Sequence, residues 1–69
     1  MPLSMAKEGE RVVIKRVGGK EDARRFLSSL GFTAGSDITV VSKYGSDFIV
    51  NIKDSRVAIS SEMANKIIV

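Results

Sequence analysis

Leu27-Ser28-Ser29-Leu30-Gly31-Phe32-Thr33-Ala34-Gly35-Ser36 is the stretch in which this chain changes from one periodicity to another. Ahead of it, Ala23, Phe26, Leu27 and Leu30 recur at helical spacing, which predicts a helix over residues 21–30 with one apolar face. Glu21 and Asp22 fall in its first turn, where the helix dipole favours acidic groups, and Arg24 and Arg25 point away from the apolar stripe. Gly31 stands where a left-handed cap needs a residue without a β-carbon. With that cap in place, Phe32 can pack back onto Leu27. Ala34-Gly35-Ser36-Asp37 is then a turn, and beyond it the apolar spacing drops to two.

Working outward, residues 38–42 read as a strand with Ile38 and Val40 on one face. A tight connection at Tyr44-Gly45-Ser46-Asp47 leads to residues 48–53, with Phe48, Val50 and Ile52 inward and Asn51 and Lys53 outward. Asp54-Ser55 is a hairpin turn and residues 56–59 pair back. Ser60 or Ser61 caps a single helical turn over residues 62–65, and Ile67-Ile68-Val69 closes as a short strand. On the N-terminal side, residues 10–17 read as one strand after the turn residue Gly9, with Val12 and Ile14 inward and Arg11 and Lys15 outward. Leu3, on an extended lead-in bracketed by Pro2 and Glu8-Gly9, plugs one end of the core. The fold class is therefore mainly β: a small five-stranded barrel in one domain over residues 1–69, with one α-helix inserted between the first two strands and a short helical turn before the last. The closing strand is expected to pair with the first, since an open apolar edge invites aggregation.

Composition narrows what such a barrel can do. Sixty-nine residues make one thin core, and the chain has no cysteine, histidine or tryptophan. Disulfides and thiolate zinc sites are excluded, and the usual general base and commonest metal ligand are missing. The eight Asp and Glu residues show no calcium-loop spacing, so no metal or other cofactor is expected. The net charge of +3 comes from 11 Lys+Arg against 8 Asp+Glu, interspersed rather than clustered, and reads as a solvated face. Gly18-Gly19-Lys20 precedes a helix, but the first turn beyond it is acidic and no Ser or Thr follows for magnesium; it is a flexible loop entering a helix, not a phosphate cradle. No apolar run approaches the roughly 20 residues of a membrane span, and no secretory signal opens the chain, so the expected address is cytoplasmic. Among the aromatics, Phe26 and Phe48 are expected in the core; Phe32 and Tyr44, beside turns, are expected to be accessible.

A longer pattern runs through Gly9-Glu10, Ile14, Gly19, the stretch from Leu27 to Ser36, Ile38 and Val40. It continues through Gly45, Ile49, Val50 and Ile52 to Val57-Ala58-Ile59, Glu62-Met63-Ala64 and Ile67-Ile68-Val69. It resembles the FeoA family, small cytoplasmic components of bacterial ferrous iron uptake. The resemblance implies a barrel of the Src-homology-3-like (SH3-like) type, and a partner: the cytoplasmic part of the FeoB iron permease, with contact to the membrane only through it. The chain departs from the family pattern at Ala34, where proline commonly precedes the glycine, at Phe48, and in the short connection from Tyr44 to Asp47.

These readings make the leading expectation a non-enzymatic regulatory module. Its partner-binding residues are Arg24, Arg25, Leu27, Phe32 and Tyr44, with Gly9, Gly31 and Gly35 as structural turns. Leu27 competes for a role in the helix stripe. A nucleic-acid-binding barrel is the alternative, with scattered basic residues and few stacking aromatics against it. A further alternative is an SH3-like regulatory domain related to iron-dependent repressors. A barrel with strand edges also has the means to form a homo-oligomer.

Overall fold

The computed structural model describes residues 1–69, and its first decisive feature is Gly31, whose φ of +101° turns the chain out of the helix. The Gly31 amide donates to the Ser28 carbonyl at 2.9 Å and the Phe32 amide to the Leu27 carbonyl at 3.0 Å. This pair of bonds is the Schellman cap, with Phe32 and Leu27 at the two positions that make its apolar contact. Both side chains are fully buried, so the cap also docks the helix on the barrel.

The elements follow in chain order: β1 (Arg11–Val13), β2 (Arg16–Val17), α1 (Glu21–Ser29), β3 (Asp37–Tyr44), β4 (Asp47–Ile52), β5 (Ser55–Ser60), α2 (Ser61–Ala64) and β6 (Ile67–Ile68). β1, β3, β4 and β5 form one antiparallel sheet in that order, and β2 pairs with β6 in a second. This is the expected mainly β barrel with a helix inserted early, and the closing strand pairs with the later part of residues 10–17, β2, Val17 opposite Ile67.

Two expectations about the N-terminal part are corrected. Residues 10–17 are two strands rather than one, so the barrel has six strand segments. The break is at Ile14, whose amide donates to the Ser36 carbonyl at 2.9 Å and whose carbonyl accepts from the Gly35 amide at 2.8 Å. At Lys15 the amide already donates to Ile68, on the other sheet, at 2.7 Å. The chain turns a barrel corner there, and Val13 is exposed where Ile14 is buried. Leu3 does plug the core, but from a 3₁₀ turn over Leu3–Met5 rather than an extended lead-in, with Ala6 buried beside it.

The core is fourteen residues, every one apolar, drawn from all parts of the chain. Ile38, Val40, Phe48, Val50, Ile52 and Ile59 come from the sheet, and Ala64, Ile67 and Val69 from the closing segment. No polar or charged residue is buried. Ser60 caps α2, its hydroxyl accepting from the Met63 amide at 3.2 Å. Function must therefore reside on the surface, on residues the core leaves free.

Gly31→Val should destabilise the fold by about 1 kcal/mol or more, from left-handed backbone strain in a residue that carries a β-carbon. The new β-carbon would also stand 3.4 Å from the Lys53 Cδ. Thermal denaturation checks this, and an unchanged Tm would contradict the role given to the cap.

Candidate functional site

The residues expected to bind a partner separate into two groups. Arg24 and Arg25 are exposed on α1, Arg25 with its Nη2 donating to Glu21 Oε1 at 2.8 Å, one turn back along the helix. Tyr44 is exposed at 66%. Leu27 and Phe32, by contrast, are 0% and 1% exposed, and neither can be a contact surface. The reason is the cap: it points both side chains into the barrel, and the accessibility expected of Phe32 from its place beside a turn is overridden by its bond back to the helix.

Phe26 reverses the other way. It was expected in the core and is 51% exposed, because the buried line of α1 passes through Leu27, with Ala23 and Leu30 only half-buried at its margins. Phe48 is buried as expected. Tyr44 ends β3, seven residue steps from Asp37, where the chain enters from the helix; at about 3.3 Å per step that is about 23 Å of strand. Tyr44 therefore lies at the far end of β3 from the turn that follows the helix cap.

The loop before α1 is closely covered rather than free. The Gly18 amide donates to the Lys66 carbonyl at 2.7 Å, and a β-carbon on Gly19 would lie 2.9 Å from the Lys66 Cδ. No group of three or more carboxylates lies close enough to share a cation.

A feature not anticipated from the sequence lies on the outer face of the four-stranded sheet. Arg11 of β1, Thr39 of β3, Asn51 of β4 and Arg56 of β5 stand directly opposite one another in register, a polar row crossing all four strands. Together with Asp37, Ile52 and the turn residues Lys53 and Asp54 they line a shallow open depression. Arg11 is ion-paired with Asp37, whose hydrogen bond and charge raise the guanidinium pKa further, so Arg11 remains a cation at any working pH. The pair is largely solvent-exposed and adds little to stability. Arg56 Nε donates to Asn51 Oδ1 at 3.3 Å. The outward position of Asn51 was legible from alternation, whereas Lys53, expected as the last outward residue of the strand, is in the turn; the register that aligns the row was not legible, since it depends on the hairpin turns and on the bulge between Val40 and Ser42.

The turn at the rim is built against its residues' preferences. Lys53 and Asp54 have φ of +47° and +65°, the two left-handed positions of a type I′ hairpin, where Asn-Gly is favoured.

With the geometry in view, the comparisons are direct. The FeoA domain model matches residues 1–69. This chain belongs to the FeoA family. It is 37% identical over 68 residues, 99% of its length and 83% of the relative's, to a Methanocaldococcus jannaschii protein named "Putative Fe(2+) transport protein A". A crystal structure of FeoA described as an iron uptake regulatory protein superimposes with a TM-score of 0.90 at 28% identity, covering 97% of this chain and 91% of that one. A Stenotrophomonas maltophilia FeoA complexed with zinc, described as a prokaryotic SH3 domain protein, matches with a TM-score of 0.87 at 24% identity, covering 99% and 87%. A manganese-dependent transcriptional repressor shares the fold over 39% of its chain, with a TM-score of 0.88 at 20% identity and 97% of this chain covered. The small barrel read from the strands, and the SH3-like type that the family resemblance implied for it, are thus the barrel of FeoA, and the same architecture serves inside repressors.

Two substitutions separate core from surface on the helix. Leu27→Ala should cost about 2–5 kcal/mol, whereas Phe26→Ser should leave the Tm within a few degrees. Equal losses by differential scanning calorimetry would contradict the assigned burial. Replacing Lys53-Asp54 by Asn-Gly should raise stability by about 1 kcal/mol through relief of the left-handed strain, readable as a higher denaturant midpoint at unchanged slope.

Proposed function

We propose that this chain is a non-enzymatic accessory protein of ferrous iron uptake that works in the cytoplasm by docking on the cytoplasmic part of a FeoB-type permease. The observation that carries the reading is the relationship to the Fe(2+) transport protein, which runs through 99% of this chain at 37% identity. Three features of the chain support it. Every buried residue is apolar, histidine and cysteine are both absent, and no helix is long and apolar enough to cross a membrane. Iron is then the cargo of the partner, and this protein contributes a surface.

The surface left for docking differs from the sequence expectation in composition. Arg24 and Arg25 remain, and the exposed Phe26 between them and Leu27 takes the apolar role that Leu27 and Phe32 cannot fill. A basic pair flanking an aromatic side chain suits a patch with acidic residues around an apolar pocket. Tyr44 is a separate exposed aromatic at the far end of β3.

In a pull-down with the permease's cytoplasmic region, Phe26→Ala and the double variant Arg24→Glu/Arg25→Glu should each reduce capture by about tenfold, while both remain folded. Unchanged capture by both variants would place the docking surface elsewhere. No capture by the unaltered protein would remove the permease as partner.

A further inference from the structure

We infer that the depression on the outer face of the four-stranded sheet is a binding site for a small oxyanion, a carboxylate or phosphate, held chiefly by Arg56 with Asn51, Thr39 and Lys53. The site lies off helix α1 and stands independently of the docking proposed above.

Four in-register positions on four neighbouring strands present Arg11, Thr39, Asn51 and Arg56, so their spacing is set by the sheet rather than by flexible loops. Of the two carboxylates at the rim, Asp37 is committed to Arg11. That leaves the cations of Arg56 and Lys53 against Asp54 alone.

Arg56 is also oriented. Its Nε donates to Asn51 Oδ1 at 3.3 Å, which ties the inner edge of the guanidinium to the strand beneath and leaves both terminal nitrogens without a protein partner. A guanidinium presented in this way offers parallel N–H donors that match two oxygens of a carboxylate or phosphate. The same bond uses the acceptor end of the Asn51 amide, so its NH2 end is free to donate. Neither the Thr39 hydroxyl nor the Lys53 ammonium has a side-chain partner. The Lys53 stem runs past Gly31, its Cδ 3.4 Å from where a β-carbon on that glycine would stand.

Backbone conformation points the same way. Lys53 and Asp54 occupy left-handed positions that stability alone would give to Asn-Gly, which is a strained pair at the rim of this depression. The ligand class follows from what the lining lacks as well. Its single apolar residue, Ile52, belongs to the core, and there is no aromatic side chain on which a base could stack. An isolated oxyanion fits that donor set, and a nucleobase does not.

The test is a titration of the whole chain by two-dimensional 1H–15N NMR, with the arginine Nε–H and asparagine NH2 signals as reporters. Inorganic phosphate and acetate are the two probes, each compared with sodium chloride at matched ionic strength. Saturable shifts at Arg56 Nε and Asn51 Nδ2 are expected with at least one probe and absent with chloride. Saturation by phosphate alone assigns a phosphate ligand, and saturation by acetate as well extends the site to carboxylates. Arg56→Gln should weaken binding by about tenfold or more, as should Asn51→Asp, while Arg16→Gln on the second sheet should leave it unchanged. Both site variants change exposed residues, and the dispersion of their amide spectra verifies the fold. The site is refuted if chloride reproduces the shifts, if neither probe saturates, or if Arg16→Gln weakens binding as much as Arg56→Gln.

Discussion

The bond from the Phe32 amide to the Leu27 carbonyl ties together the two halves of this structure. It ends α1, reverses the chain through Gly31, and brings two large apolar side chains into the barrel at once. In a chain of 69 residues the core has fourteen members and no buried polar group, so each anchoring contact is a sizeable fraction of what holds the fold. The cap therefore has consequences for function. By committing Leu27 and Phe32 inward, it leaves Phe26, Arg24 and Arg25 as the outward face of the helix.

A second constraint acts at Ile14. Its backbone bonds to the turn before β3, and its neighbour Lys15 bonds to β6, so the chain passes from one sheet to the other within a single residue step. That switch closes the barrel, leaving β1 beside β3 and taking β2 to β6. Arg11 is carried with it onto the edge of the polar row, opposite Thr39. A barrel corner and a surface depression are thus parts of one arrangement: the corner sets which strands are neighbours, and the neighbours decide which outward side chains line up.

The fold shared with repressor domains and the FeoA proteins illustrates how little an SH3-like barrel says about its role. Its interior here is filled by aliphatic and aromatic side chains, and chemistry can only be written on the outside. The family relationship directs attention to iron uptake, while the charged and polar surface determines what this particular chain can touch.

Much of the architecture was legible in the residues themselves. The helix, its glycine cap, the three long strands and the Ser60-capped turn follow from periodicity and local backbone preference, which act over a few neighbouring residues. The composition without histidine or cysteine bears on chemistry in the same direct way. Three things were decided only in the folded molecule. Residues 10–17 look like one strand because the bonds that split them go to Ser36 and Ile68, remote in sequence. The helix stripe names Phe26 and Leu27 alike, and only the direction from which the barrel approaches leaves Leu27 buried and Phe26 in water. The alignment of Arg11, Thr39, Asn51 and Arg56 depends on strand register, which turns and a bulge set across the whole sheet. Local physics names the elements and their faces; which faces meet is a property of long-range pairing, and a single chain does not display that until it is folded.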